Sequence, residues 1–140
     1  MALKIKLKPN ERVIVNGAVI RNDDRRTVIT VENHSHVIRG SDVMLEDDAT
    51  TPAKRAYFVI QSLLIDQRHN FKERKKQAAE LLADLYTAIR NAEMHNAVAE
   101  ANWNLACEDY YKALVALRPV IAYERRLFEN VSEEPESKAA

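Results

Sequence analysis

The spacing of apolar residues changes once along the chain, and the change falls at Thr51-Pro52. Before this point, apolar residues recur at every second position in short runs, as in half-buried strands. After it they recur every three to four positions, as on one face of a helix. Thr51 can cap free backbone N–H groups through its hydroxyl, and Pro52 suits the first helical position. The sequence therefore predicts a β half and a helical half, joined at a hinge of residues 50–66.

The size and cysteine content of the chain limit what it can be. Its 140 residues can bury a core without disulfides or metals. The single cysteine, Cys107, excludes an intrachain disulfide and fits a reducing compartment. No apolar run reaches the roughly 18 residues of a transmembrane helix, and residues 1–7 lack the apolar block of a secretion signal. We therefore expect a cytoplasmic protein with no membrane partner.

The β half begins with a strand that has two different faces. In residues 3–8, Leu or Ile alternates with Lys, which predicts one apolar and one cationic face. Asn16-Gly17 is a strong hairpin signal, because both turn positions accept positive φ. We expect residues 1–49 to form a basic β subdomain, as a small antiparallel sheet or a partly closed barrel. Its last part, from Gly40, is an acidic connector.

The helical half, residues 50–130, is predicted to contain three or four helices, which makes the fold α+β. The first helix is expected from Pro52 to about Gln67. The second is expected to begin with a capping box at Asn70 and to end near Arg90. Asn91 is expected to cap the third helix. Pro119 predicts a kink or a break over residues 115–118. Residues 131–140 are rich in Glu, Pro and Ser and are expected to be a disordered tail.

The net charge of zero conceals alternating blocks. Residues 1–39 carry eight Lys or Arg against four Asp or Glu, and residues 52–90 carry the same numbers. Residues 40–51 and 91–140 are acidic. Two interpretations remain open: the blocks neutralise one another across contacts, or a basic face binds a polyanion.

If the polyanion is RNA, the candidate contacts are the cations of the β half and of the start of the first helix. They are Lys4, Lys6, Lys8, Arg12, Arg21, Arg25, Arg26, Arg39, Lys54 and Arg55. The alternative site is the start of the second helix, with Lys72, Arg74, Lys75 and Lys76. Residues 1–56 contain no aromatic residue, so recognition by the sheet would use charge and shape and not base stacking.

Metal binding and catalysis are disfavoured. His34 and His36 lie two residues apart in a turn, His69 and His95 are isolated, and we expect all four to be solvated. Cys107 is predicted inside an apolar helical stretch, where a thiol behaves as a small hydrophobic group. With two glycines in the chain, a phosphate-cradling glycine loop is excluded. We expect no cofactor, no metal and no enzymatic activity.

Aromatic residues and the helical surface suggest protein contacts. Tyr110 is predicted in the core, and Tyr111 at the surface or at an interface. The Ala- and Leu-rich helical half could present a groove or an oligomer face. Composition alone therefore favours a protein-interaction module first, a nucleic-acid binder second and an enzyme last.

Three stretches together resemble the FlbT family of flagellum biosynthesis repressors. They are residues 1–9 with Val15-Asn16-Gly17-Ala18-Val19, residues 50–55 with Tyr57-Phe58 and Asp66, and residues 109–114 with Tyr123-Glu124. They occur in the family's order and cover the chain to about Phe128. At Arg118-Pro119 the sequence departs from the helix-forming residues of the family.

The resemblance implies a post-transcriptional regulator of flagellin in flagellated alphaproteobacteria. Such a protein associates with the 5′ untranslated leader of flagellin mRNA and promotes its decay or limits its translation. It is expected to work with the partner FlaF. An alternative is a non-enzymatic module that binds flagellin or FlaF and affects the mRNA indirectly, and another is a homo-oligomeric scaffold. The resemblance supplies no RNA-contacting residues, so the ten cations above rest on charge alone.

Overall fold

The computed structural model describes the backbone of residues 2–139 and the side chains of residues 2–130. The strands are β1 (Leu3–Leu7), β2 (Arg12–Val15), β3 (Ala18–Arg21), β4 (Thr27–Val31) and β5 (Val37–Arg39). Two 3-10 turns, Gly40–Asp42 and Glu46–Asp48, precede the helices α1 (Pro52–Ile65), α2 (Phe71–Ala88), α3 (Ala92–Ala106) and α4 (Tyr110–Ala139). The predicted α+β fold is confirmed. The tail predicted at residues 131–140 lies outside the described side chains.

The strands form two antiparallel sheets and no closed barrel within residues 2–139. β1 pairs with β4, and β2 lies between β3 and β5. Ile14 of β2 lies opposite Ile38 of β5, so these two side chains share a face. Their face joins the helical core, whereas Val13 on the other face joins Ile5 and Leu7 of β1 in a second, smaller core. The three-stranded sheet is thus the middle layer.

The β2–β3 hairpin is fixed by Asn16-Gly17, as the sequence predicts. Asn16 has φ 49° and Gly17 has φ 88°, both in the left-handed region. A Cβ atom at Gly17 would lie 2.7 Å from the carbonyl oxygen of Leu64 near the end of α1. Glycine is required here both for the backbone conformation and for the close approach of the hairpin to the helix.

The four helices enclose the larger core. Its largest fully buried helical side chains come from every helix: Tyr57, Ile60, Leu63, Leu82, Val98, Leu114, Leu117 and Val120. Leu64 packs at the edge of the same cluster, which also contains Ile14 and Ile38, so α1 underlies the three-stranded sheet. The hydroxyl of Thr51 accepts the backbone N–H of Lys54 at 3.4 Å and caps α1, and Pro52 occupies its first turn.

The predicted break at Pro119 is wrong, because α4 continues through this residue. Proline removes the hydrogen bond that would have ended at the carbonyl of Val115. Val115 is 39% exposed and Pro119 is also exposed, so the freed carbonyl lies on the solvent side. The helix can tolerate the proline there without losing a buried hydrogen bond.

Three smaller predictions also differ from the structure. The capping box is wrong: Asn70 adopts φ 51° and its side chain makes no capping hydrogen bond. Cys107 is exposed at the end of α3 and does not lie inside an apolar stretch. The first two helices end at Ile65 and Ala88, about two residues earlier than predicted, and each end is followed by extended backbone.

Candidate nucleic-acid interface

A shallow groove beside β1 brings four of the predicted cations together. Ile5 and Leu7 point into the small core, so the alternating residues Lys4, Lys6 and Lys8 face outward. Arg39, at the end of β5, lines the same groove. Two outward residues of β1, the lysine that follows the strand and one arginine from β5 thus form a single cationic surface. We call it the β1 groove.

The β1 groove also contains two acids, and both have other partners. The carboxylate of Glu11 accepts the backbone N–H of Lys8 at 2.9 Å. Asp42 lies 3.7 Å from Nε of Arg118 in α4, which is an ion-pair distance without a hydrogen bond. Within residues 2–130, Lys4, Lys6, Lys8 and Arg39 form no ion pair. Their charges therefore remain available to an anion.

Buried Asn22 ties the turn before β4 to the groove. Its amide donates to the carbonyl of Lys8 at 2.9 Å and to that of Arg25 at 2.7 Å. Arg25 and Arg26 are thereby held in the turn that follows the β2–β3 hairpin. Its neighbours Asp23-Asp24 indicate a turn, and nothing in the sequence indicates these two contacts.

Arg12 and Arg21 form a second cationic pair on the β2–β3 hairpin. They lie directly opposite each other in the antiparallel register, and both are exposed. Like charges in such a cross-strand pair repel and destabilise it unless an anion lies near. Their placement fits a surface that meets a polyanion, although they do not line the β1 groove.

Lys54 and Arg55 are not brought to the β1 groove. Arg55 instead lines an apolar cleft between α1, α2 and α4, together with Arg90 and Tyr123. Its guanidinium donates to the carbonyl of Thr50 at 3.4 Å. Neither Lys54 nor Arg55 forms an ion pair with the Glu46–Asp48 turn or with any other described side chain. The start of α1 is therefore not held to the Glu46–Asp48 turn by an ion pair.

The alternative cluster at the start of α2 is partly occupied by structural contacts. The guanidinium of Arg74 donates to the carbonyls of His69 and Asp66 and to the hydroxyl of Ser62, at 2.8, 2.5 and 3.1 Å. Lys75 pairs with Glu108 at 3.0 Å. Arg74 therefore ties the α1–α2 connection together, and Lys72 and Lys76 are the exposed cations of this cluster.

The hinge is held by polar side chains that reach across the chain. Glu124 of α4 is buried, accepts the backbone N–H of Ala53 at 3.0 Å and accepts the hydroxyl of Thr51. Its negative charge lies at the N-terminus of α1, where the helix dipole favours an anion. Glu124 belongs to the stretch that resembles the family, but its contact with the hinge was not predicted.

Two residues of α1 fix the connector over the groove. The side chain of Gln61 accepts the N–H of Met44 and donates to its carbonyl, both at 2.8 Å. The hydroxyl of Tyr57 donates to the carbonyl of Asp42, and burial raises the pKa of Tyr57 while nearby Arg118 opposes the shift. A polar residue on the apolar stripe of α1 was the available sequence signal for Gln61.

Two of the histidines stack on tyrosine rings. His36 is exposed but stacks on Tyr111 at 4.4 Å, so Tyr111 lies at the contact between sheet and helices. Tyr110 is buried, as predicted. His95 is half-buried in α3, bonds to the carbonyl of Ile89 and stacks on Tyr86, so it is not a solvated loop residue.

Two further findings concern metal binding and membrane crossing. Among its residues, no group of three or more His, Cys, Asp or Glu side chains is placed to hold a metal ion. No helix within residues 2–139 is long and apolar enough to cross a bilayer.

The comparisons with known proteins all identify the same family. The family model described as flagellar protein FlbT matches residues 3–128. This chain belongs to the FlbT family. A probable flagellum biosynthesis repressor protein FlbT from Caulobacter sp. (strain K31) is 35% identical over 132 residues, which covers 94% of this chain and all of the relative.

Two other FlbT proteins are similar over most of their length. The flagellum biosynthesis repressor protein FlbT of Caulobacter vibrioides (strain ATCC 19089 / CIP 103742 / CB 15) is 34% identical, covering 94% of this chain and 93% of its own. The probable counterpart from Mesorhizobium japonicum is 34% identical, covering 89% and 83%. No solved structure matches the chain.

Proposed function

We propose that this FlbT-family protein represses flagellum biosynthesis by binding the 5′ untranslated leader of flagellin mRNA through the β1 groove. The repressor role comes from the names of its relatives. The RNA-binding role is supported by one observation above all, the convergence of Lys4, Lys6, Lys8 and Arg39 in one open groove. FlaF or flagellin would be a protein partner.

The proposed mechanism is non-catalytic. Lys side chains on alternate positions of a strand lie about 7 Å apart, close to the spacing of successive phosphates in an extended nucleic acid strand. The four cations would each neutralise a phosphate and release counterions. The bound leader would then be blocked from the ribosome or presented to a nuclease.

Salt dependence tests direct binding. With up to four phosphates neutralised, the logarithm of the affinity for a flagellin leader should fall linearly with the logarithm of salt, with a slope of up to about −3. Fluorescence anisotropy with labelled leader RNA measures it. An absence of salt-sensitive binding would contradict the RNA proposal and favour the protein-interaction alternative.

A charge-reversal variant tests the location. Lys4→Glu/Lys6→Glu/Lys8→Glu should weaken binding at least about tenfold and reduce the magnitude of the slope by about 2, because three phosphate contacts are lost. Circular dichroism should remain unchanged, because all three side chains are exposed. The matched control is Arg68→Glu/Lys72→Glu/Lys76→Glu, three exposed cations near the start of α2. If the control loses affinity and the β1 variant retains it, the site is at α2.

A further inference from the structure

The strand pair β1–β4 presents two different rows of side chains on its outward face. Directly opposed residues of an antiparallel pair point to the same face of the sheet. Lys4 lies opposite Thr30, and Lys6 lies opposite Val28. Ile5 between the two lysines points the other way, into the small core. A row of lysines on β1 therefore lies beside an uncharged row on β4. We call Val28 and Thr30 the β4 row.

The β4 row is open to solvent and carries no negative charge. Val28 is 57% exposed, although its neighbour Ile29 packs against the small core. The hydroxyl of Thr27 donates to the carbonyl of Arg25 at 3.2 Å, whereas that of Thr30 makes no hydrogen bond within residues 2–130. Neither β1 nor β4 contains an acidic residue. An exposed valine alone indicates nothing, but this one lies with a free hydroxyl beside two unpaired lysines.

The β1 groove and the β4 row lie on opposite sides of the lysines. The far wall of the groove is formed by residues 39–42, and no described residue of β4 lines it. An RNA strand whose phosphates lie along the lysines can therefore turn its bases toward residues 39–42 or toward β4. Because Arg39 stands on the groove side, its charge attracts the phosphates to that side. The bases are then left on the side of the β4 row.

We propose that the β4 row contacts unpaired bases of the RNA whose phosphates lie in the β1 groove. Cβ atoms of directly opposed residues are roughly 5 Å apart, so a base next to a lysine-bound phosphate can reach β4. Val28 packs against the base, and the hydroxyl of Thr30 forms a hydrogen bond with its edge. The inference rests on the proposed function and specifies its ligand as single-stranded RNA, because a duplex encloses its bases.

Truncation of the β4 row tests the proposal. Val28→Ser/Thr30→Ala should weaken binding of the labelled flagellin leader about fivefold or more in fluorescence anisotropy, because contacts with the bases are lost. The slope of affinity against salt should stay the same, because no phosphate contact changes. The matched control is Val19→Ser on β3, where the side chain is 46% exposed but belongs to the other sheet. This control should keep the wild-type affinity, and circular dichroism checks that both variants fold.

A second variant adds a contact and does not depend on a truncated strand. Tyrosine suits an exposed strand position, so Val28→Tyr should fold as the wild-type protein does. Stacking of a base on the new ring should strengthen binding of the leader about threefold or more. Val19→Tyr places the same ring on β3 and should leave the affinity unchanged. A merely structural role of Val28 would give no increase.

The leader annealed to its full complement separates base contacts from phosphate contacts. This duplex retains the phosphates but encloses the bases. The wild-type protein, Val28→Ser/Thr30→Ala and Val28→Tyr should therefore bind the duplex with equal affinity, while they differ on the single strand.

Three outcomes overturn this inference and leave the proposed function intact. The first is a folded Val28→Ser/Thr30→Ala variant that binds the leader as tightly as the wild-type protein. The second is a Val28→Tyr variant that binds it no better. The third is an equal effect of these variants on the single strand and on the duplex. If the wild-type protein shows no salt-sensitive binding to the leader, the proposed function is wrong, and this inference is wrong with it.

Discussion

The two hydrophobic cores of this protein differ greatly in size, and the cationic surface is built on the smaller one. Among residues 2–130, the core between the sheets contains three buried side chains, Ile5, Leu7 and Val13, whereas the helical core contains twenty-two. The strand pair β1–β4 therefore depends on few contacts and is the part expected to open most easily. The helical body and the connector it holds provide the stable frame for the β1 groove.

The largest effect is expected in the helical core. Leu117→Ala removes a fully buried side chain and should lower the free energy of unfolding by about 3–5 kcal/mol. Urea unfolding followed by circular dichroism at 222 nm measures it. The exposed neighbour Val115→Ala should change the same quantity by less than about 0.5 kcal/mol. A small effect of Leu117→Ala would show that the helical core is not the dominant one.

A similar truncation in the small core tests whether the two regions are independent. Ile5→Ala should lower the stability of the β1–β4 pair by about 2–4 kcal/mol, since Ile5 is also fully buried. Hydrogen exchange should become faster in β1 and β4 and stay unchanged in α2 and α3. Equal acceleration in all elements would mean that the molecule unfolds as one cooperative unit.

The contact between the hinge and α4 should have an intermediate effect. Glu124→Ala leaves the N–H of Ala53 and the hydroxyl of Thr51 without their acceptor, at a cost of about 2–3 kcal/mol in unfolding free energy. Thermal unfolding measures the loss. Glu124→Gln retains one acceptor oxygen and should lose less. Equal losses in both variants would indicate that the negative charge or the second acceptor oxygen is essential, because Gln retains the volume of Glu.

The smallest effects on stability are expected for two tyrosines. Tyr57 bonds to the connector, and Tyr110 lies in the helical core. Tyr57→Phe removes the hydrogen bond to the connector and should cost about 1 kcal/mol. The hydroxyl of Tyr110 has no hydrogen-bond partner among the described residues, so Tyr110→Phe should be nearly neutral near pH 7. Chemical denaturation of both variants at one pH makes this comparison.

Alkaline pH should separate Tyr110→Phe from the wild-type protein. Burial raises the pKa of Tyr110 from 10.0 to about 12, because the charged form is desolvated. The folded state thus holds this proton more tightly than the unfolded state. Its contribution is complete below pH 10 and is lost as the pH rises toward 12. The wild-type protein should therefore lose more stability than Tyr110→Phe over this range, and parallel profiles would contradict the shift.

Local signals predicted the local structure well. Asn16-Gly17 fixed the hairpin turn, Thr51-Pro52 fixed the start of α1, and the alternation in residues 3–8 placed the lysines outward. The pairing of β1 with β4 and the division into two sheets were not predicted, since pairing depends on contacts distant in sequence. The break predicted at Pro119 does not occur, because this proline lies on the exposed face of α4.

The candidate site was predicted only in part for the same reason. The ten cations were selected by charge, and the fold then separates them: four line the β1 groove, while Arg55 lines the cleft between α1, α2 and α4. Lys54 and Arg55 form no ion pair with the connector among the described residues, whereas Asp42 of the connector lies 3.7 Å from Arg118 of α4. Such long-range partners cannot be derived from spacing along the chain.

The bonds between Glu124 and the hinge also have a consequence for the order of folding during synthesis. The two turn residues of the β2–β3 hairpin are adjacent in sequence, so this element can form as soon as its strands leave the ribosome. Glu124 is separated from Thr51 by 73 positions and from Ala53 by 71. The start of α1 therefore receives these two bonds only when most of the chain has been made. Closing a loop of this length costs more conformational entropy than forming the hairpin, so we expect the bonds to the hinge to form after the hairpin.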